Sequence, residues 1–263
     1  MSVSGSQESS MSKNAKVIAI TNQKGGVGKT TTSINLAASL ARVDKRVLLI
    51  DLDPQGNGTV GSGVEKRSYK CSIYDVLVDS VPIKKVIVTV EAGFDVVPSD
   101  GDLAGAQVEL LNEIGRELRL KKAIEKIEKD YDYIFIDCPP ALNVLTINAM
   151  VAAKSALIPM QCEYFALEGL SALVDTIKKI RDTLNPELQI EGLLRTMFDS
   201  RNSLAGEVSE QLEQHFGKKV YKTIIPRNIR LAEAPSFGQP ALLYDKSSKG
   251  ALAYLALAAE MVS

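Results

Sequence analysis

The chain has 263 residues, 45% apolar and 24% charged, which excludes a disordered, collagen-like or coiled-coil protein and fits one large α/β unit or two small ones. Its 31 basic and 32 acidic residues give a net charge of −1, so any attraction to nucleic acid or anionic lipid must come from a local patch. Three scattered cysteines and a single histidine, His215, support neither a disulfide framework nor a multi-histidine metal site.

Residues 1–14 carry six serines and little apolar surface, and are expected to be a disordered tail. Residues 15–263 are expected to form a single domain. Short apolar runs follow at 17–20, 47–50, 94–97, 134–136, 156–160, 192–197 and 220–225. Runs of this length suit strands covered on both faces. Helical spacing recurs between them. Residues 30–41 form a helical segment, and Leu120, Ala123, Ile124 and Ile127 share a face, with Glu125 and Lys129 as an i,i+4 pair. Leu170, Leu173, Ile177 and Ile180 make another stripe, and Leu204, Val208, Leu212 and Phe216 a third. His215 lies near the end of that last helix, a favourable place for a cation. The Gly- and Ser-rich stretch 56–70 reads as a mobile loop. Strand–helix alternation predicts a doubly wound, mostly parallel sheet with helices on both faces.

The most informative stretch is Gln23-Lys24-Gly25-Gly26-Val27-Gly28-Lys29-Thr30-Thr31, between the first apolar run and the first helix. Strand, glycine-rich loop and helix together make a P-loop. Glycines let successive N–H groups face one anion, and the helix N-terminus adds its positive end. Lys29 is placed to reach the outer phosphates of a nucleotide, and Thr30 to put its hydroxyl on Mg²⁺. The usual pattern begins with Gly, but Gln23 stands there and a second lysine, Lys24, follows. Lys24 is either a solvated side chain or a charge offered across an interface to another subunit's nucleotide.

Two acidic sites accompany the loop. Asp51 and Asp53 end an apolar strand, two residues apart and so on one side of it. Residues 134–136 followed by Asp137 have the Walker B pattern, an apolar strand ending in a carboxylate suited to Mg²⁺. Pro139 and Pro140 stop that strand.

Taken together, the Lys24–Thr30 loop, Asp51-Leu52-Asp53-Pro54-Gln55-Gly56-Asn57, Asp137-Cys138-Pro139-Pro140 and the stretch 225–236 resemble the ParA/Soj partition ATPases, P-loop NTPases with a deviant Walker A loop. The resemblance covers residues 16–262. It implies an ATP-dependent sandwich homodimer that binds double-stranded DNA nonspecifically. A ParB-like centromere-binding partner would stimulate slow ATP hydrolysis and release the dimer, moving a chromosome origin or plasmid. By the same resemblance, Lys24 reaches across the dimer, and Gly25 lies at the dimer contact. Gly26, Val27, Gly28, Lys29, Thr30 and Thr31 hold phosphate and Mg²⁺. Asp53 positions the attacking water, Asp51 and Asp137 support the metal, and Pro226 and Asn228 flank adenine. Arg201 and Arg230 match DNA contacts. Arg227 is a further candidate, with packing at the adenine side or an ion pair as its alternative. The implied location is the cytoplasm, on the nucleoid.

The charge pattern agrees in part. Between residues 195 and 249 there are nine basic and six acidic side chains, a net of +3 in a chain that is −1 overall. Two copies on one face of a dimer would add their phosphate contacts. Three rival readings compete, of which the first shares the deviant loop. A MinD-like protein docks on membranes through a basic amphipathic C-terminal helix, but no Lys or Arg follows Lys249, so stable membrane association is not expected. A redox protein resembling nitrogenase iron protein needs cysteine ligands at strand ends. In a P-loop ligase, phosphate goes to a small acid, and nothing in the chain resembles its substrate site. With only about a dozen residues before the first strand, no operator-reading helix-turn-helix is expected.

Overall fold

A computed structural model describes residues 14–65 and 68–263. The tail expected over 1–14 therefore lies outside the described residues, apart from Asn14, whose side-chain amide donates to Glu128 (2.8 Å).

The elements, in chain order, are β1 (Lys16–Ile20), α1 (Lys29–Ala41), β2 (Val47–Asp51), α2 (Asn57–Gly61), α3 (Ile73–Leu77), β3 (Val88–Thr89), β4 (Asp95–Val97), α4 (Leu103–Glu109) and α5 (Arg119–Ile124). The second half holds β5 (Tyr133–Asp137), α6 (Val144–Ala152), β6 (Ser155–Met160), α7 (Ala166–Thr183), β7 (Gln189–Arg195), α8 (Ser203–Phe216), α9 (Ile229–Glu233), α10 (Ala241–Tyr244) and α11 (Lys249–Val262). The strands form one sheet in the order β3-β4-β2-β5-β1-β6-β7. All pairings are parallel except β3 with β4.

Period-two alternation divides every central strand between two cores. Val17 and Ala19, Leu48 and Ile50, and Ile134 and Ile136 enter one cluster, which α3 to α8 cover. Ile18 and Ile20, Val47 and Leu49, and Tyr133 and Phe135 enter the other, which α1 and α11 cover. The expected doubly wound sheet is therefore the observed one. Strand β1 lies between β5 and β6, and the chain returns to it from both sides. In open α/β sheets such a crossing, at the carboxyl ends of the strands, is where ligands bind. The C-terminal helix buries Ala251, Tyr254, Leu257, Ala258 and Met261 in the second core.

Several expectations need correction. The run 220–225 forms no strand; it touches the sheet only through isolated bridges, Leu193 to Val220 and Phe198 to Pro226. Its backbone groups divide between β7 and side chains: Tyr221 N–H donates to the Leu193 carbonyl (3.1 Å) and Ile225 N–H to the Arg195 carbonyl (2.9 Å). The Glu260 carboxylate accepts from the N–H groups of Lys222 (2.7 Å) and Thr223 (2.9 Å), and Arg195 donates to the carbonyl of Tyr221 (2.6 Å). The 56–70 stretch is partly ordered, with α2 inside it and Gly58 and Thr59 buried; Lys66 and Arg67 fall outside the described residues. Helix α5 ends at Ile124, so Glu125 and Lys129 do not share a helix, and they form no ion pair among the described residues. Strand β3, only two residues long, gave no periodic signal. His215 does stand in the last turn of α8, with Nδ1 against the Gln211 carbonyl at 2.8 Å.

Candidate nucleotide site

The loop after β1 supplies the anion-binding end of the site. Gly26 (φ 72°) and Gly28 (φ 86°) hold left-handed conformations that a side chain would strain. Around Gly25 and Gly26 there is open space, with no atom within 4 Å of an added Cβ. Lys29 opens α1, its side chain largely buried, and its ammonium donates to the Lys24 carbonyl at 3.0 Å. Burial pushes the Lys29 ammonium below the usual lysine range, with the Asp137 charge opposing. The Lys24 ammonium turns outward and pairs with Glu163 of the same chain at 2.5 Å.

Parallel pairing of β2 and β5 makes Asp51 and Asp137 register partners at the strand ends. Both are fully buried. Burial raises the carboxyl of each above the usual range, and for Asp137 the neighbouring Asp51 raises it further. Their oxygens are used differently. Asp51 accepts from the Thr59 N–H and hydroxyl, both at 2.7 Å, and from the Asp53 N–H at 3.2 Å. Asp137 accepts from the Ser33 hydroxyl at 3.0 Å through Oδ1, but its buried Oδ2 has no hydrogen-bond partner. The Thr30 hydroxyl also lowers the Asp137 carboxyl. A buried, partnerless carboxylate oxygen beside two hydroxyls is a donor set fit for a hard cation.

Asp53 sits half-buried just beyond β2. Its Oδ1 accepts from the Gln55 N–H (3.0 Å), and its carbonyl accepts from the Ser99 hydroxyl (2.8 Å).

A cavity of about 380 Å³ opens beside the loop. Gly28, Thr31, Pro226, Asn228, Met197 and Tyr254 are among its walls. Asn228 caps α9, its Oδ1 accepting from Arg230 N (3.1 Å) and Leu231 N (3.4 Å). Thr196 ties this wall to the loop by donating to the Val27 carbonyl (2.8 Å). An apolar, preformed cavity with a few polar groups, adjoining an anion-binding loop, has the shape of a nucleotide-base pocket.

A family model described as an AAA domain matches residues 15–190, more than half the chain. The sporulation initiation inhibitor protein Soj of Bacillus subtilis is 55% identical over 94% of this chain and 98% of its own length. The chromosome partitioning protein ParA of Caulobacter vibrioides is 52% identical over 94% of each. The chain belongs to the ParA/Soj family of chromosome-partitioning ATPases. Among solved structures, the cobyrinic acid a,c-diamide synthase of Mycobacterium smegmatis with a bound ATP analogue and magnesium superposes with a TM-score of 0.81. It is 37% identical, with 93% of each chain covered. The cell division ATPase MinD of Pyrococcus furiosus gives a TM-score of 0.79 at 26% identity, covering 94% of this chain and 98% of its own.

In this ParA/Soj chain the loop, Asp51, Asp53, Asp137, Pro226 and Asn228 come together at the carboxyl ends of the central strands. The candidate arginines lie next to it. Phe198 N donates to the Ile225 carbonyl (3.1 Å) and Arg227 N to the Phe198 carbonyl (3.2 Å), which sets the turn bearing Arg201 beside Arg227. Arg201 is 88% exposed and doubly bonded to Asp199 (2.7 and 2.9 Å). This holds the Asp199 carboxyl down at about 2. Arg230 pairs with Glu233 (2.8 Å) and Asp245 (3.4 Å). Arg227 is exposed and also lines the cavity. Arg195, counted with the basic patch, is instead buried and bonded to Ser209, Glu213 and the Tyr221 carbonyl. Removing Arg195 and Glu213 together leaves eight basic and five acidic residues, so the local net stays at +3.

Four site residues had no sequence signal of their own. Glu163 lies 139 positions from Lys24. Ser33 and Thr59 are ordinary hydroxyls until the fold brings them to the aspartates. Gly58 is needed because an added Cβ would stand 3.0 Å from the Asp51 carboxylate and 3.4 Å from Asp137 Oδ2.

Proposed function

We propose that this ParA/Soj-family chain is an ATP-driven partitioning switch. In this reading Mg²⁺-ATP assembles two copies into a sandwich homodimer, and the dimer binds double-stranded DNA without sequence preference. A ParB-like centromere-binding partner stimulates slow hydrolysis, which releases the dimer. The observation that carries the reading is the convergence of the P-loop lysine with a buried aspartate whose one oxygen has no partner.

The residues divide the work by their positions. Backbone N–H groups of Gly25 to Thr31 face the phosphates, and Lys29 exchanges the Lys24 carbonyl for a phosphate oxygen. Pro226 and Asn228 flank the base. Thr30 and Asp137 hold Mg²⁺, while Asp51 pins the 51–59 segment through Thr59 and supports the metal site through Asp137. When bound, the metal supplies charge neutralisation at the phosphates. Asp53 orients water for attack on the γ-phosphate. Lys24 of the partner copy offsets the negative charge that develops. Among the described residues no histidine stands at the site, and the buried carboxylates are committed, Asp51 to Thr59 and Asp137 to the metal, so no strong base is left for the water and slow turnover follows.

Arg201, Arg227 and Arg230 form the DNA side of the switch, and two copies on one dimer face double the number of phosphate contacts. No described helix is long and apolar enough to cross a membrane. The apolar face of α11 is buried in the core, which supports an absence of stable membrane association; in this reading the chain acts in the cytoplasm, on the nucleoid. Residues 15–263 act as one domain, because motifs from both ends of the chain build one site.

Light scattering with ATP, ADP and no nucleotide, paired with steady-state ATPase, tests the reading. An ATP-only dimer with slow turnover is the expected result. A protein that stays monomeric in ATP, or turns over fast alone, would overturn it.

A further inference from the structure

A second concavity lies on the other face of the sheet from α1 and α11. It encloses about 660 Å³ between α3 with the turn that follows it and α5. Its floor includes Val76 and Ile83, which are 4% and 2% exposed, with Ala123 beside them. Its rim carries Lys84, Arg119, Lys122 and Lys126, and no carboxylate lines it. Lys84 is paired with Asp130 (2.8 Å) and Arg119 with Glu113 (2.7 Å), both outside the lining. Among the described residues, Lys122 and Lys126 form no ion pair. At the mouth stands Ile114, fully exposed, and three and six residues before it Leu111 and Val108 are 55% and 68% exposed. The nucleotide reading uses none of these residues.

We propose that this groove receives an acidic amphipathic helix from a protein partner. Three observations select that occupant. Arg119 and Lys122 stand one turn apart on α5, and Lys126, two residues past its end, lines the same groove. A helix laid alongside would present carboxylates at the same spacing. An apolar floor takes the apolar stripe of that helix, as in helix-in-groove recognition. A cleft of this volume holds a few side chains of a single element, whereas a folded surface needs a wider footprint. The exposed row from Val108 to Ile114 extends the apolar contact beyond the cleft. A bilayer is the other surface that favours apolar groups ringed by lysines, but a flat sheet of lipid cannot reach the buried Val76 and Ile83.

The test uses the full chain and a fluorescein-labelled synthetic helix of roughly 18 residues with a leucine stripe flanked by glutamates. A twin with lysine for every glutamate is the charge control, and vesicles of equimolar phosphatidylglycerol and phosphatidylcholine are the lipid control. The acidic helix is expected to bind saturably and the basic twin not to. Lys122→Glu with Lys126→Glu should weaken binding by about tenfold, and Ile114→Ser should weaken it too. ATPase activity should be unchanged in both variants, which also reports that they fold. Absence of acidic-helix binding, equal binding by the double variant, or pelleting with vesicles while the peptide is ignored would each overturn the proposal. None of these results bears on the nucleotide site, so the two readings fail separately.

Discussion

The ammonium of Lys24 rests on the carboxylate of Glu163 in its own chain, 2.5 Å away, with both side chains about half exposed. If Lys24 acts on a partner's nucleotide, as proposed, this pair holds it in cis before assembly. Exposed pairs of this kind are worth up to about 1 kcal/mol. Glu163→Gln should tighten ATP-dependent self-association by about two- to fivefold, read by analytical ultracentrifugation. Beside Glu163, Tyr164 and Phe165 are 74% and 70% exposed and pack edge to face at 4.9 Å. Phe165→Ser should weaken the same association. Opposite signs from adjacent residues would separate a restraint on Lys24 from a contact surface.

Lys29→Ala and Asp53→Ala should fail at different stages. Lys29 is buried at the start of α1 with its ammonium on the loop, so its loss should remove nucleotide binding, measured with a fluorescent ATP analogue. The Asp53 side chain makes only a local turn contact, with the Gln55 N–H. Asp53→Ala should bind ATP and dimerise but persist as a dimer on DNA. A variant that hydrolyses ATP normally would reject the role of Asp53.

Thr59 serves two partners at once, donating to Asp51 and accepting from Ser99 N at 2.8 Å. Thr59→Val leaves a buried carboxylate oxygen short of a donor and a buried N–H without an acceptor, costing on the order of 2–3 kcal/mol. Thermal melts should show a lowered Tm. Added Mg²⁺ and ATP should recover part of it, because ligand binding stabilises only the folded state.

The arginines should separate by burial. Arg195→Ala removes a buried guanidinium that satisfies Ser209 and the Tyr221 carbonyl, and should lower stability by about 2–3 kcal/mol. Arg230→Glu changes a half-exposed side chain, and should abolish DNA binding while ATP-dependent dimerisation persists. Loss of dimerisation as well, seen by light scattering, would make Arg230 structural.

Asp199 gives a pH dependence with a definite sign. Arg201 holds its carboxyl down at about 2, below the ordinary aspartate value. The pair is thus fully present above the ordinary value and is lost only as pH falls through about 2. Arg201 stays engaged throughout the neutral range, and Asp199→Asn should strengthen nonspecific DNA binding by freeing it. Filter binding at pH 6 to 8 should show no Asp199-dependent change with pH.

How much of this was legible in the sequence differs by element. The P-loop and the strand-end aspartates could be read because their chemistry is local: glycines, a lysine and apolar runs within a few residues of each other. The sheet could be read because β1, β2 and β5 are buried on both faces and hence apolar apart from the terminal Lys16, Asp51 and Asp137. The 220–225 run misled because apolar content does not say where backbone N–H groups go, and here Glu260 takes two of them. The 56–70 stretch misled because its glycines and serines suggest mobility, while Gly58 is present to make room for two carboxylates. The Glu163–Lys24 pair is a tertiary contact with no short-range trace.

Binding of unrelated duplex DNA with ATP, with ADP and without nucleotide, across a salt series, tests the central claim most directly. The account predicts binding with ATP alone, weakening steeply as salt rises, because several arginine–phosphate contacts are made at once. Binding that is independent of nucleotide, or absent under all three conditions, would contradict it.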